Sequence, residues 1–519
     1  MSESIAQRAG TLGEVFRLLA QSYPDKTALQ DAGGSGVSFQ TLDQRINRLN
    51  AALKEQGLEK GDRVAVLSKN RAEYVEVFGL TKSGAVIVPL NWRLSDPDLK
   101  RLLTHCAPKF IFADATFCAR AVALSQTMEP PARVICFDAP EKGALSYGDL
   151  TVGPDAPEPP ETTASEDLLC LLYTSGTTGA PKGVMHRHGA VLNNLAVSGG
   201  EVQALTANDK VLAVMPFFHV GGLFLHFFAT LARGCTVTVL PEFDPARVVD
   251  TIAAQRITNV HLVPTMIAAV LDHLETAPED LSSLRTILYA ASPIPTPLLH
   301  RALDALPRCG FIQSYGATES GMVTALAAET HVTARQTGKD AVLLSCGQAV
   351  TDRALRIADP DRDGIGEIEI NSPGMMAGYW HDPERSAETI VDGWLRTGDL
   401  GRIDAQGFLY IADRRNDMII TGGENVYPTE VEEHLCRLEG VTAAAVFGVP
   451  DPRWVERVTA AVTLAPGTDT TGEALIAQLK TQLAGYKCPK DIHILADLPK
   501  NAAGKVLRKD LKARFSAPA

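Results

Sequence analysis

Eight short apolar runs recur through the first four hundred residues: Arg63 to Ser68, Ala85 to Leu90, Phe110 to Asp114, Arg133 to Asp138, Lys210 to Pro216, Thr236 to Leu240, Asn259 to Pro264 and Thr286 to Ser292. Segments of helical length separate most of them. Strand-like runs alternating with helices imply βαβ units, because parallel neighbours need a crossover connection rather than a tight turn. The expected fold class is therefore α/β, with a large N-terminal domain of mostly parallel βαβ sheets and helices. At 519 residues the chain exceeds what one hydrophobic core supports, so a second domain is expected. Its border falls near Asp413 to Asp417, where the strand-like Gly407 to Ala412 meets a polar and charged run. The division is 1–413 for the large domain and 414–519 for a smaller, mobile α+β domain. The Pro- and acid-rich stretch Thr151 to Asp167 has no periodicity and reads as an exposed connection inside the large domain.

Charge excludes some partners. With 49 Lys+Arg against 61 Asp+Glu the net charge is -12, so no long-range attraction of nucleic acid or anionic membrane is expected. The tail differs: from Lys487 onward basic residues outnumber acidic ones. That island is either a solvated helix face or a surface that meets a polyphosphate. Nine cysteines without a CxxC pair fit free thiols in a reducing compartment. No apolar h-region follows Met1, and a cytoplasmic location is expected. Val211 to Leu231 is apolar and as long as a spanning helix, but Pro216, His219, Gly221, Gly222 and His226 interrupt it. It reads as a buried strand leading into a pocket-lining loop and helix, without stable membrane insertion.

Chemistry is concentrated in a few segments. Tyr173-Thr-Ser-Gly-Thr-Thr-Gly-Ala-Pro-Lys-Gly183 follows the strand-like Leu168 to Leu172. Its hydroxyls (Thr174, Ser175, Thr177, Thr178), its glycines (Gly176, Gly179) and Lys182 supply donors and a cation suited to a polyphosphate. Taken alone, such a loop is often just a flexible surface turn, though its donors favour the phosphate reading. It is not a Walker A loop, since Pro181 stands where the second glycine belongs and Gly183 where the hydroxyl belongs. Downstream come Gln313-Ser-Tyr-Gly-Ala-Thr-Glu319, Arg396-Thr-Gly-Asp399, the run from Asp413 to Pro428, and Pro499-Lys-Asn-Ala-Ala-Gly-Lys505 with Arg508.

In this order, and across nearly the whole chain, these segments resemble those of the acyl-adenylate-forming superfamily, which includes acyl-CoA synthetases, firefly luciferase and peptide-synthetase adenylation domains. The resemblance implies an ATP-binding set of Thr174 to Gly179, Lys182, Tyr315, Gly316, Asp399 and Arg414. Tyr315 would stack on adenine, Thr318 contact phosphate, Glu319 ligate Mg2+, and Asp399 accept the ribose hydroxyls with Arg414 alongside. Lys505 would be the travelling lysine of the adenylation step. The small domain would then turn about a hinge at Asn416, where relatives carry Asp or Lys, and present Thr421-Gly-Gly-Glu-Asn425 to CoA. Gly422, Gly423 and Trp454 are the CoA-binding candidates; two glycines are also what a tight turn requires. Val455 departs from the usual Trp-Gly-Glu.

The implied reaction is physically coherent. A carboxylate brought roughly 4 Å from a phosphate charge costs about 4 kcal/mol at an effective dielectric near 20, so cations must offset it. Glu319 with Mg2+ and Lys505 provide them, and the acid itself is the nucleophile. Met215-Pro-Phe-Phe-His-Val-Gly-Gly-Leu223 resembles the segment at the carboxylate end of the acyl pocket, with His219 near the reacting acid. A lone histidine between aromatics is otherwise a core residue. Val220, Leu223, Ala290, Ala291 and Met322 complete the expected pocket. None is basic, which disfavours dicarboxylates and leaves medium or long fatty acids and neutral aromatic acids. His186 and His188 lack a third ligand for a metal and read as surface or helix-start residues. Cys170 and Cys488 lack a base.

The expected function is an acyl-CoA synthetase using ATP and CoA as co-substrates with Mg2+, a homodimer being left open. The alternatives are a luciferase-like or carrier-loading adenylate-forming enzyme, or a catalytically silent nucleotide-binding protein.

Overall fold

The computed structural model describes residues 4–174, 181–414, 417–421, 424–451, 454–500 and 506–516, with the Arg414 side chain left out. All eight apolar runs begin within one residue of a strand, from Arg63–Leu67 to Thr286–Tyr289. Their last residues lie beyond the strands and become the loops at the carboxyl ends. Between strands, helices start where the sequence offers caps: Ser95 accepts from the Asp98 N–H and Asp244 from the Arg247 N–H, each with a proline in the first turn.

Two sheets build the large part. In a nine-stranded sheet, Gly310–Ala317, Thr286–Tyr289, Asn259–Leu262, Lys210–Ala213, Thr236–Val239 and Thr27–Gln30 are successive parallel neighbours. Gly321–Leu326 adds beside Gly310–Ala317 as an antiparallel hairpin partner, and Gln348–Ala349 forms the edge beyond it. A seven-stranded sheet runs through Arg133–Cys136, Phe110–Ala113, Arg63–Leu67, Val86–Pro89 and Leu168–Thr174, again parallel, and ends on antiparallel Lys182–Arg187. Phe16, Phe39, Phe78, Phe112, Phe224 and Phe228 share one core that both sheets contribute to. A five-stranded antiparallel sheet carries Trp394–Ile403 and Leu409–Arg414.

The tail has its own sheet and core. Val441–Asp451 and Val455–Leu464 pair antiparallel, Asp491–Ile494 adds in parallel, and Val431, Leu435, Val446, Val462 and Leu475 pack beneath. A smaller α+β domain therefore stands beside the α/β body.

Val211–Leu231 is interior: its strand passes into a short helix at Val220–Gly222 and a π-helical turn at Leu223–Phe228. Among the described residues no helix is long and apolar enough to cross a membrane. The expectation of free thiols fails at one place. Cys118, which starts the helix after Phe110–Ala113, is paired with Cys136 at the end of the adjacent parallel strand, Cα to Cα 5.9 Å. That proximity comes from sheet register, which residue spacing does not reveal. The other seven cysteines are free.

Candidate active site

A cleft opens at the carboxyl ends of the parallel strands, where ligands of α/β sheets bind. Met215, Val263 and Ala290 each follow the end of one of three neighbouring strands and line it together with Thr174, Lys182, Tyr315, Gly316, Thr318, Glu319 and Asp399.

Thr174 and Lys182 face each other across the hairpin formed by Leu168–Thr174 and Lys182–Arg187. Ser175, Gly176, Thr177, Thr178 and Gly179 lie outside the described residues. Behind the hairpin runs a segment that sequence reasoning missed. The Trp380 N–H donates to the Gly183 carbonyl at 2.8 Å, and the Met376 N–H to the Glu319 carbonyl at 2.8 Å. Between them the Tyr379 hydroxyl donates to Glu319 Oε1 at 3.1 Å, and Lys182 Nζ sits 5.9 Å from the Tyr379 ring centroid. One tyrosine thus joins the lysine of the Gly/Thr-rich loop to the carboxylate expected to hold a metal.

Gly316 is required by packing. A Cβ there would lie 1.9 Å from the Gly321 carbonyl oxygen, so the chain can reverse from Gly310–Ala317 into Gly321–Leu326 and carry Thr318 and Glu319 into the cleft. Just before it, the Tyr315 hydroxyl donates to Asp399 Oδ2 at 2.7 Å, and burial together with that carboxylate raises the phenol well above its usual range. Asp399 stands opposite Arg414 in the register of Trp394–Ile403 against Leu409–Arg414, so the expected ribose pair is adjacent in the sheet.

The acyl side is apolar with polar exceptions. His219 precedes the short helix Val220–Gly222, and Val220, Gly221, Gly222 and Leu225 follow it along the cleft wall. Its Nε2 is buried without a partner, and burial first, then the Arg93 charge, push the imidazole down to about 4. It is therefore neutral near pH 7. Ala290 and Ala291 form the facing wall, Ala291 in a left-handed conformation with φ 74°. Two expected members do not line it. Leu223 packs into the aromatic core because its helical phase turns it away from the cleft, and Met322 is fully buried against Val197, Leu225 and Val350. His261 and Val263 stand in the wall and were not anticipated.

From the tail domain, Glu424, Asn425, Lys500, Val506 and Arg508 border the same cleft. Lys505, Asn416, Gly422 and Gly423 lie outside the described residues. Lys500 and Val506, which flank Lys505, form an antiparallel bridge. Trp454 does not line the cleft; Lys490 Nζ lies 5.7 Å from its ring centroid. Four members of the basic island are ion-paired within the domain: Lys487 with Glu430, Arg508 with Glu432, Lys512 with Glu456, and Lys500 with Asp497. His186 and His188 are buried, so the surface alternative fails, but His188 does start a helix, His188–Ala196, and its Nδ1 accepts the Leu12 N–H at 3.0 Å. Among the described residues no group of three His, Cys, Asp or Glu side chains is arranged to hold a metal.

Residues 16–380 match the family model of the AMP-binding enzyme, and residues 430–505 that of the AMP-binding enzyme C-terminal domain. The chain belongs to the AMP-binding enzyme family. A feruloyl-CoA synthase of Amycolatopsis is 38% identical over 96% of this chain and 97% of its own length. An indoleacetate–CoA ligase of Aromatoleum aromaticum is 35% identical over 94% and 95%. Among solved structures, ATP-bound MatB from Rhodopseudomonas palustris superposes with a TM-score of 0.87 at 30% identity, covering 97% of this chain and 99% of that one.

Within this AMP-binding enzyme one departure noted in the sequence has a backbone consequence. Val455 has φ 72°, in the left-handed region that glycine tolerates and a β-branched residue resists.

Proposed function

We infer that this AMP-binding enzyme makes an acyl-CoA thioester from a neutral carboxylic acid, medium- or long-chain aliphatic or aromatic, by way of an acyl-adenylate. The enzyme class rests on the family: this is an AMP-forming acid–thiol ligase. The observation that carries the substrate reading is the single cleft in which Lys182, Thr318, Glu319 and the Tyr315–Asp399 pair meet an apolar wall headed by neutral His219.

In the first half-reaction the acid carboxylate attacks the α-phosphorus of ATP and pyrophosphate leaves. Lys182 and the hydroxyls of Thr174 and Thr318 take the β- and γ-phosphates, and Asp399 with Arg414 takes the ribose. Magnesium fits Glu319: a single carboxylate held by Tyr379 beside Thr318 suits an ion that takes one or two protein carboxylates and completes its shell with phosphates and water. Bound there, it would neutralise phosphate charge. Lys505 brings an ammonium to the α-phosphate. In the second half-reaction the domain of residues 414–519 turns about Asn416, and Gly422, Gly423 and Trp454 face the CoA arm while its thiolate attacks the acyl carbonyl and AMP leaves. Neutral His219 lies at the carboxylate end, where it can donate to an acyl oxygen. Relatives named for feruloyl and indoleacetate thioesters support an aromatic acid.

The test is AMP and pyrophosphate release over a panel of aliphatic and aromatic acids, with and without CoA. Lys505→Ala is expected to slow adenylation about a hundredfold or more while sparing thioester formation from supplied acyl-adenylate. Release of ADP and orthophosphate with every acid would exclude the adenylate route.

A further inference from the structure

The strand Asn259–Leu262 carries one residue that its apolar surroundings do not explain. Val260 and Leu262 pack with Val248, Ile252 and Ile267 on one face of the sheet. His261 alternates to the other face, where its ring meets His226 edge-on at 5.6 Å and approaches Gly221. It is 2% exposed and lines the acyl side of the cleft. Apart from the Gly221 backbone, which the ring approaches, neither of its ring nitrogens has a hydrogen-bond partner among the described residues.

Two other buried histidines of this chain are tied down at both ring nitrogens. His226 has Gln203 Oε1 at 3.2 Å from Nδ1 and the Leu212 carbonyl at 3.4 Å from Nε2. His331 shares a 2.8 Å hydrogen bond with the Tyr289 hydroxyl. His186 and His188 also leave Nε2 unpaired but stand outside the cleft, whereas His261 lines it, and an unpaired buried polar atom at a cleft wall is one that a ligand can satisfy. Gly221 is also informative: a Cβ there would lie 3.2 Å from His261 Cε1, so a larger residue in the turn after His219 would crowd the imidazole. The turn is open where the ring is unpaired.

We propose that His261 is a specificity-determining residue of the acyl pocket, hydrogen-bonding a hydroxyl or keto oxygen that the acid carries away from its carboxylate. The preferred substrates are then oxygenated aromatic or alicyclic acids, not plain hydrocarbon ones. The proposal rests on the ligase activity inferred above and names its substrate class. Burial pushes the imidazole down to about 4, so it offers one N–H and one lone pair at neutral pH, a pairing that a hydroxyl satisfies from either side. A site built to bond an oxygen discriminates against the analogue lacking it, since the protein group is then left unpaired.

Matched acids test this on the full-length enzyme: 4-hydroxycinnamate against cinnamate, and 3-(4-hydroxyphenyl)propanoate against 3-phenylpropanoate, followed by pyrophosphate release. The wild type should favour the hydroxylated member in kcat/KM by about tenfold to a hundredfold. His261→Phe should bring each pair within a few-fold by losing rate on the hydroxylated acid, and His261→Gln should keep most of the preference. Wild-type kcat/KM values equal within each pair, or a His261→Phe loss shared equally by both members, would overturn the assignment. If His261→Phe does not fold, the wild-type ratios decide. Absence of AMP with every acid would instead overturn the ligase activity itself.

Discussion

Tyr379 donates its hydroxyl to Glu319 Oε1 at 3.1 Å while Lys182 lies over its ring, so two groups assigned to the triphosphate share one aromatic support. Partners that orient a metal-binding carboxylate typically affect metal affinity tenfold or more. Tyr379→Phe keeps the ring under Lys182 and removes the hydrogen bond. The magnesium concentration giving half-maximal pyrophosphate release should rise about tenfold. An unchanged magnesium dependence would deny Glu319 that role.

Arg508 anchors the last helix. Its Nη2 lies 2.8 Å from both Glu432 oxygens, and Nη1 lies 3.3 Å from Asp417 and 3.8 Å from buried Asp413. Asp413 also accepts the Thr429 N–H, and Asp413 and Asp417 flank the proposed hinge. Arg508→Ala strands a buried carboxylate at Glu432, so a loss of roughly 3 kcal/mol is expected in urea unfolding of the tail domain. Arg508→Lys should fall between, because a lysine cannot fork onto both oxygens.

Much of this was legible because hydrophobic patterning is local. Strand starts at Arg63, Phe110 and Thr286 coincide with the apolar runs, and the segment from Gln313 to Glu319 announces the cleft by its residues alone. What was hidden depends on neighbours distant in sequence. Tyr379 acquires meaning only by bridging Gly183 and Glu319. His261 was concealed inside a run read as an ordinary buried strand. Leu223 was misplaced because the π-helical turn it begins shifts the helical phase. Cys118 and Cys136 meet through parallel register, not spacing.

Acid should weaken the fold through its buried histidines. His186, His188, His219 and His261 are pushed down to about 4, and His226 to about 3, chiefly by burial. The unfolded chain protonates them near pH 6.5, so it binds more protons than the fold between pH 6.5 and 4, and stability falls as pH drops through that window. Glu76, pushed up to about 7 by burial, acts in the opposite sense between pH 4.5 and 7. Asp43 and Glu432, also raised by burial, oppose the histidines too, but the five outnumber these three carboxylates. His186→Phe, beside Phe224, should reduce the loss between pH 7.5 and 5 by about 2 kcal/mol in denaturant titrations. Equal acid sensitivity in both proteins would contradict the neutral burial of His186.

Val455 is 67% exposed, so its side chain gains little from packing, yet its backbone sits at φ 72°. A left-handed conformation costs a side-chain-bearing residue about 1–2 kcal/mol. Glycine removes that strain but adds freedom to the unfolded chain, worth about 0.4–1 kcal/mol against it. Val455→Gly should therefore stabilise the tail domain by roughly 0.5–1 kcal/mol, seen as a higher urea midpoint at unchanged slope. If the midpoint falls instead, valine must supply a contact that outweighs the strain, and the left-handed turn would not be the reason relatives carry glycine there.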